Sequence, residues 1–410
     1  MDGPSQDGNE PVRIIRTTRT HLLCLSRAHN KFSIQLYQEF AKDGKRPGNF
    51  VISPVSVSLG LGMIHIGARG SSREELNKSL HLHEVQDNQL LPAYAALHWD
   101  VTKTAQPRGG IFEFAIRLFA QPGHVMTAAY ERICSRYDIT RMKNVDFRNR
   151  PDLARKEINQ WAEEKTHGRV KDVLPTGIAD TDTSLLLLCA TYAKLSFLYP
   201  FDKKKTTCLP FYLHMEAPQV PMMYQRRCFR MAFIYKLDCD ILELPLSSGE
   251  LKFLVLLPRR SENITRLEMK LSRSVLDNAL DRMQEELVDV YLPKFRYELG
   301  IICWDALVKL GIKNLYISGK ADFSGLDGTT SLFLSRVFHH LCFEIDEGAS
   351  TPATEVNSSI GPDTSVQQQV PKIFRADHPF LFLVIEERTA AIHFIGRVFR
   401  PQTSSVASVT

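Results

Sequence analysis

Two histidines, His81 and His83, are separated by a single residue and are the first pair of side chains in the sequence that suggests metal chemistry. On a strand they would share a face, and two imidazoles on one face could bind zinc. No third ligand lies near them in the sequence, whereas a zinc site uses at least three protein ligands. The sequence therefore predicts an incidental polar pair, with no metal site and no cofactor.

The signatures of common enzymes are missing from the sequence. It contains no G-x-S-x-G, no G-x-x-x-x-G-K-[ST] and no H-E-x-x-H. Gly60, Gly62 and Gly67 follow a predicted strand but miss the G-x-G-x-x-G spacing of dinucleotide-binding loops. Gly60 and Gly62 instead fall inside a predicted helix, where they suggest that another element packs close to that face. We expect that the protein is not an enzyme.

His339 and its neighbour His340 precede an alternating apolar and polar segment that is typical of a strand. We expect His339 to be a core or sheet-interface histidine that makes a hydrogen bond. A pH-sensing role is the alternative.

The stretch from Phe343 to Phe382 contains the remaining candidate chemistry. It begins with a strand pattern that stops at Gly348 and ends in an apolar run from Pro379 that predicts a buried strand. Between these lie about thirty residues rich in Ser, Thr, Pro, Gln and Gly, with no hydrophobic period. A structureless segment of this length, fixed at both ends, predicts a displayed loop.

The composition is that of a large globular domain. The chain has 410 residues, of which 44% are hydrophobic. Its net charge of +5 is too small to indicate a nucleic-acid partner. The basic clusters are separated in sequence and predict a solvated surface, and a polyanion site, such as one for heparin, is the alternative. These clusters are Lys203–Lys205, Arg226–Arg227 with Arg230, and Arg259–Arg260.

Eight cysteines stand at positions 24, 134, 189, 208, 228, 239, 303 and 342, and none forms C-x-x-C. Several lie in apolar runs and are predicted to be small core residues. Cys228 and Cys239 could bridge a hairpin, which the sequence does not decide.

The N-terminal segment of the sequence has no apolar signal-peptide core, and no run of 18 apolar residues predicts a membrane span. Three sequons, at Asn77, Asn263 and Asn357, are candidate glycosylation sites. An extracellular location is our prediction, and the cytoplasm is the alternative. We also expect a monomer without a membrane partner.

Periodicity places helices mainly in the first 170 residues and strands in the remainder, which predicts an α+β fold. Residues 1–27 are expected to be a flexible N-terminal extension, 28–402 a single domain and 403–410 a C-terminal tail. The predicted helices are 28–42, 55–66, 124–137, 150–165 and 304–310. The predicted strands are 49–52, 111–120, 185–193, 240–245, 250–258, 288–295, 380–385 and 392–398.

Several short motifs, in order from about residue 28 to residue 402, resemble those of the serpins. They are Asn49-Phe50-Val51-Ile52-Ser53-Pro54-Val55-Ser56 with Gly67-Ala68-Arg69-Gly70, Asn159-Gln160-Trp161 with Thr166-His167-Gly168-Arg169-Val170, Pro200-Phe201-Asp202, Val220-Pro221-Met222-Met223, Leu292-Pro293-Lys294-Phe295, Ala321-Asp322-Phe323-Ser324-Gly325, Ala376-Asp377-His378-Pro379-Phe380 and Phe394-Ile395-Gly396-Arg397-Val398 with Pro401. The fold that this resemblance implies has three β-sheets, about nine helices and an exposed reactive centre loop between Glu347 and Phe374.

The resemblance also implies a mechanism. A serpin loop is bait for a serine protease, which cleaves it and is caught as an acyl-enzyme. The N-terminal half of the loop then inserts as a new central strand into the main sheet, which releases stored strain. The inserting hinge must therefore be able to form a buried strand.

The hinge of this chain departs from that requirement. The hinge residues are Glu347, Gly348, Ala349, Ser350, Thr351, Pro352 and Ala353. Ala349 is small and compatible with burial, but Pro352 lacks the N–H that a central strand donates. With Ala349 facing inward, period 2 also turns Glu355 and Asn357 inward, and an unpaired buried Glu355 would cost several kcal/mol.

The bait position and the sheet-opening region depart as well. Fourteen residues on from Gly348, the nominal scissile bond joins Pro362 and Asp363, and few serine proteases accept proline there. The sheet-opening region would contain Cys189, Phe197 and His339, with Cys189 and Phe197 standing where the family usually has Asn and Trp.

These departures favour a non-inhibitory or substrate-like serpin that acts as a binding or carrier scaffold. The alternative is a serine-type endopeptidase inhibitor that traps its protease by loop insertion, which is the usual activity of the family. A serine protease is the expected partner in that case.

Overall fold

A computed structural model describes residues 19–42, 48–86, 89–90, 92–96, 110–136, 141–348, 370–402 and 408–409. The α-helices with defined bounds are α1 Arg19–Lys42, α2 Pro54–Gly67, α3 Gly70–Ser79, α4 Ala128–Arg136, α5 Pro151–Lys165, α6 Ile264–Lys270, α7 Arg273–Arg282, α8 Trp304–Lys309 and α9 Ser324–Asp327. Residues 92–96 are also helical, and 3₁₀ turns span Leu82–Glu84, Lys203–Lys205, Ser261–Asn263 and Asn314–Tyr316.

The strands run in chain order as follows: β1 Phe50–Ile52, β2 Ile111–Ala120, β3 Lys143–Asn144, β4 Leu185–Leu195, β5 Thr207–Pro210, β6 Gln219–Ile234, β7 Cys239–Pro245, β8 Leu251–Pro258, β9 Gln284–Pro293, β10 Phe295–Ile302, β11 Leu334–Ile345, β12 Lys372–Arg375, β13 Phe380–Glu386, β14 Ile392–Val398 and β15 Ser408–Val409. Helices precede most of the strands along the chain, so the predicted α+β class is confirmed.

The described strands form two hydrogen-bonded sheets. The first has six strands in the order β15-β10-β11-β4-β2-β3. The second has nine, in the order β1-β14-β13-β8-β7-β6-β9-β12, with β5 also pairing with β6. The three sheets that the resemblance implied are joined into two here, because β6 is 16 residues long and pairs with β5, β7 and β9 along its length.

The hydrophobic core lies between the two sheets and under the helices. Aromatic side chains of both sheets meet there: Phe343 of β11 stacks on Phe382 of β13 with ring centroids 5.0 Å apart. Gly60 lets α2 approach β4, since a Cβ at this position would lie 2.7 Å from a methyl of Leu187. The close packing predicted from the glycines is therefore confirmed at Gly60, whereas a Cβ at Gly62 would make only ordinary contact.

The structure corrects several boundaries. Helix α1 begins at Arg19 instead of residue 28, and Leu25 and Ser26 are buried, so residues 19–27 belong to the domain and not to a flexible extension. Residues 1–18 lie outside the described part. At the other end, Ser408–Val409 of the predicted tail pair in parallel with β10. His81 lies on no strand but before a 3₁₀ turn, with φ of 55°, so the two histidines do not share the face that a strand would give them.

Strands β6 and β10 were missed by the sequence patterns. The sequence of β6 mixes arginines with apolar residues because its faces change between buried and exposed along the strand.

Among the described residues, no helix is both long and apolar enough to cross a bilayer. Nor does this part of the chain contain a group of three or more His, Cys, Asp and Glu that could hold a metal ion.

A buried ion pair ties the N-terminal helix to the second sheet. Arg397 of β14 donates hydrogen bonds to both carboxylate oxygens of Glu268, at 3.0 and 2.9 Å, and Tyr37 of α1 donates to the same carboxylate. The Glu268 side chain is 1% exposed. Removing one partner of such a pair leaves an uncompensated buried charge.

We therefore expect Arg397→Ala to lower the free energy of unfolding by about 3–5 kcal/mol, measured by chemical denaturation. The matched control is Arg400→Ala, which removes an ion pair with Glu216 whose two side chains are each 49% exposed. That control should cost less than about 1 kcal/mol. Equal effects of the two variants would contradict the stabilising role of the buried pair.

Candidate functional site: the seam between two central strands

The seam between β4 and β11 is the candidate functional site. These strands pair directly and in parallel, from Leu185 opposite Leu334 to Leu195 opposite Ile345. On their outer sides, β2 and β10 pair with them antiparallel. Nearly every residue of both strands is buried, which explains why their sequences are almost continuous apolar runs.

Gly348 is the last described residue before the loop. Its φ of 90° is one that glycine adopts readily, and its N–H donates to Asp346 Oδ1 at 2.8 Å. The remaining predicted hinge residues and the nominal scissile pair lie outside the described residues. They are Ala349, Ser350, Thr351, Pro352 and Ala353, together with Pro362 and Asp363.

Lys194 of β4 fastens the end of the seam next to the loop. Its Nζ lies 2.7 Å from Glu344 Oε1 and 2.6 Å from Asp346 Oδ2, on or just beyond β11. Partial burial opposes the charge of Lys194, but hydrogen bonds to Asp346 and Glu344 outweigh it and raise the pKa of the amine above its usual value. These contacts bridge the two strands that an inserting strand would have to separate.

Glu347 is held by a second lysine. Lys294 Nζ lies 2.7 Å from Glu347 Oε2, Thr206 donates to Oε1 at 2.8 Å, and the Phe201 N–H donates to the Glu347 carbonyl at 3.0 Å. Burial opposes ionisation of Glu347, but the hydrogen bond from Lys294 outweighs it and holds the pKa below its usual value. The exit from β11 is thus anchored to the residue before β10 and to the segment after β4.

Phe197 lies beside this exit and is 3% exposed. It pairs as an isolated bridge with Leu246, and its ring makes edge contacts with Phe201 and Phe253 at centroid distances of 5.2 and 6.1 Å. The backbone of Phe197 also lies next to Gly348: a Cβ added to that glycine would be in van der Waals contact with the Phe197 nitrogen, at 4.0 Å. The structure therefore brings Phe197 to the entrance of the seam, where its apolar ring packs closely.

His339 links the two strands in the middle of the seam. Its Nδ1 lies 3.0 Å from the Cys189 carbonyl of β4, and its Nε2 accepts from the Ser53 N–H at 3.1 Å, just before α2. Cys189 is its direct register partner, and both side chains are buried. The predicted sheet-interface histidine with a hydrogen bond is confirmed, and burial lowers the pKa of His339 to about 4.

A polar network covers the face of the sheet beyond α5. Arg169 and His167 contact Glu113 Oε1 of β2 at 2.7 and 2.9 Å, and the Arg169 guanidinium lies 5.7 Å from the Tyr192 ring centre. Tyr192 in turn donates to Glu344 Oε2 at 3.3 Å. The segment after α5 is therefore connected across β2 and β4 to β11.

The other predicted residues lie away from the seam. Asn77 of α3 is half-buried, and its Oδ1 lies 2.6 Å from His65 Nε2. Asn263 is half-buried at the start of α6, and Asn357 lies outside the described residues. Glycosylation at these positions stays a prediction. All eight cysteines, including Cys228 and Cys239, have free thiols.

Two arginines of the basic clusters are engaged in ion pairs. Arg226 and Arg230 contact Asp289 and Glu243 at 2.7 and 3.2 Å, whereas Lys203–Lys205 is an exposed turn. These two arginines therefore serve local contacts, and a polyanion site stays a prediction.

The two lysines that bind carboxylates at the end and exit of β11 were not predicted from the sequence. Lys194 and Lys294 stand next to strand patterns, but their carboxylate partners are distant in the chain, and Glu344 is 150 residues from Lys194. Lys194 is the charged residue that interrupts an apolar strand, and Lys294 follows a proline between two strands. The feature of the sequence that could have pointed to these lysines is a single charged residue at the end of an apolar run.

A family model described as Serpin (serine protease inhibitor) matches residues 27–401. Leukocyte elastase inhibitor A of Rattus norvegicus is 31% identical over 384 residues, which cover 92% of this chain and 99% of that protein. An uncharacterised serpin-like protein of Thermococcus kodakarensis is 32% identical over 377 residues, 92% of this chain and 85% of that protein. The chain belongs to the serpin family.

The structure of uncleaved ovalbumin is similar as well, with a TM-score of 0.82 and 26% identity over 92% of this chain and 100% of that one. The predicted serpin fold is thereby confirmed. In this fold, the resemblance puts loop insertion into the main sheet as a new central strand.

The burial of His339 makes stability depend on pH. Its pKa is about 4 when folded and about 6.5 in the unfolded chain, so the unfolded state binds a proton first as the pH falls. Stability is therefore fully present above pH 6.5 and is lost as the pH falls towards 4, by about 3 kcal/mol for this group. We expect His339→Gln to show a shallower loss of stability between these pH values in denaturant titrations.

The matched control is His214→Gln, which replaces an exposed histidine. The role given to His339 would be contradicted if His339→Gln lost stability between these pH values as steeply as the wild type and this control do.

Proposed function

We propose that this protein inhibits a serine protease by inserting its cleaved loop between β4 and β11. The observation that carries the proposal is the parallel pairing of these two strands, with the loop leaving the end of one of them at Gly348. A segment that turns back at Gly348 runs antiparallel to β11. Because β4 is parallel to β11, the same segment is antiparallel to β4 as well, and it could pair with both strands without any reversal.

The relatives support the same activity. A family model for serine protease inhibitors spans most of the chain, and a leukocyte elastase inhibitor is similar along nearly its whole length. The loop sequence fits a protease with a small specificity pocket, as elastases have. Val356 and Val366 are aliphatic residues small enough for such a pocket.

Pro352 weakens insertion without preventing it. A strand inserted along the whole seam replaces one ladder by two and so adds roughly ten hydrogen bonds, each worth about 1 kcal/mol net. The missing N–H of Pro352 removes one of them and leaves a partner unsatisfied, at a cost of about 1–3 kcal/mol. Pro352 therefore removes about one in ten of the hydrogen bonds that insertion adds.

Glu355 would meet a specific partner in the inserted state. If Ala349 lies opposite Ile345 after a tight turn, the antiparallel register brings Glu355 opposite His339, on the same face of the sheet. Insertion separates His339 from the Cys189 carbonyl, because the new strand lies between β11 and β4. The freed imidazole N–H can then donate to the carboxylate, which lowers the cost of burying it.

A non-inhibitory or substrate-like role is the second candidate function. Pro362 at the nominal bait position and Pro352 in the hinge favour it, because they act on cleavage and on insertion separately. In that case the loop is cut and the protease is released. The carrier or binding scaffold would then be the serpin fold itself.

Incubation with pancreatic elastase separates the two candidates. Inhibition predicts a complex that survives SDS, together with a melting temperature of the cleaved protein that is higher by roughly 6–12 °C, which corresponds to about 5–10 kcal/mol of added pairing. The control is Pro352→Ala, which restores the missing N–H and should raise the fraction of protease trapped. Cleavage without a complex and without a rise in melting temperature would refute the inhibitory proposal and favour the substrate-like role.

Pairing of Glu355 with His339 predicts a pH effect on insertion. A buried carboxylate beside the imidazole favours its protonated form and so raises the pKa of His339 in the inserted state. Insertion then takes up a proton and is favoured as the pH falls, by up to about 1.4 kcal/mol per pH unit. We expect the gain in melting temperature on loop cleavage to be larger at about pH 5.5 than at about pH 7.5. In Glu355→Gln this additional gain should disappear, and an unchanged pH dependence in the variant would show that the two groups do not meet.

A further inference from the structure

One face of the second sheet carries a preorganised cluster of tyrosines and arginines. The register of β12, β9 and β6 places six side chains there in two adjacent rows, one centred on Asp289 and the next on Tyr291. We call this the tyrosine–arginine face; its members are Tyr224, Arg226, Asp289, Tyr291, Ile373 and Arg375.

Contacts within the face hold its side chains in place. Arg226 binds both oxygens of Asp289 at 2.7 and 2.8 Å, and Tyr224 donates to Asp289 Oδ1 at 2.7 Å. The rings of Tyr224 and Tyr291 lie 4.9 Å apart, and the Arg375 guanidinium lies 4.5 Å from the centre of the second ring. Such fixed side chains lose little entropy when a partner binds.

The surface of the face is cationic and partly apolar. The carboxylate of Asp289 is 10% exposed, whereas the Arg226 side chain is 54% exposed, so the positive end of this pair is the more accessible to solvent. Arg375 is exposed and makes no ion pair with a described residue. Beside it, Ile373 is 68% exposed. Tyrosine and arginine are also among the residues that dominate binding energy in protein interfaces.

The face adjoins the end of the loop. Strand β12 begins at Lys372, ten residues after Pro362, and ten residues span at most about 36 Å. A protease bound to the loop would therefore lie close to the face, at a distance of about 30 Å, which is the diameter of a small domain. Among the described strands, β12 is also the edge strand of its sheet, so no further strand of that sheet separates the face from the protease.

We propose that the tyrosine–arginine face is a second contact surface for the protease that attacks the loop, and that it fits an acidic, partly apolar surface of that protease. The inference rests on the proposed function, because it takes the protease as the partner. Charge complementarity selects this occupant: the exposed guanidinium of Arg375, which has no ion pair with a described residue, repels a cationic protease and attracts an anionic one. The face thereby adds selectivity that the loop sequence alone does not provide.

The test compares an anionic and a cationic pancreatic elastase at low and high ionic strength. We expect Arg375→Glu to lower the second-order rate constant of loop cleavage or complex formation with the anionic enzyme about tenfold at low salt. The decrease should shrink at high salt, because the attraction is screened. With the cationic enzyme the rate should be unchanged or higher.

Lys320→Glu is the matched control, since it makes the same charge change at an exposed residue between α8 and α9. Ile373→Ser tests the apolar part and should slow the anionic enzyme severalfold at both salt concentrations. Equal rates for wild type and Arg375→Glu with the anionic enzyme, or equal losses with both enzymes, would overturn the proposal.

The two proposals fail in different ways. If the wild-type protein is cleaved without forming a covalent complex, inhibition is refuted. The ratio of its cleavage rate to that of Arg375→Glu then still shows whether the protease uses the face. A wild-type protein that forms the complex at the same rate as Arg375→Glu supports inhibition and refutes the face.

Discussion

The parallel pairing of β4 with β11 is the constraint on which the rest of this structure depends. Each strand has an antiparallel neighbour on its outer side, and the chain leaves β11 at Gly348 beside the end of β4. A returning segment would be antiparallel to both. The sheet can therefore accept one more strand at this seam without reversing any strand already present, and it gains a second ladder of hydrogen bonds.

Different interactions close the seam at its end and in its middle. At the end, Lys194 of β4 holds Glu344 of β11 and Asp346 just beyond it, but its side chain is 29% exposed, so solvent screens these ion pairs. In the middle, the hydrogen bond between His339 and the Cys189 carbonyl is buried, away from water that could replace it. An incoming strand therefore has to supply a new partner for this buried group at the centre of the seam.

The sequence predicted the elements better than their pairing. The apolar run that begins at Leu185 was enough to predict β4, and the motif around Ser53 predicted the start of α2. The partnership of Cys189 with His339 joins residues 150 positions apart and depends on register, which periodicity does not specify. Similarly, β6 was missed because its burial pattern follows three different neighbouring strands and not one alternation.

Hydrogen–deuterium exchange before and after cleavage of the loop tests insertion at the seam most directly, because it reports on individual backbone amides. If the loop inserts, residues 349–359 become protected after cleavage, and the amides of β4 and β11 exchange more slowly than in the intact protein. If residues 349–359 exchange as fast after cleavage as before, while β4 and β11 keep their original protection, the loop does not enter the seam and the central claim is wrong.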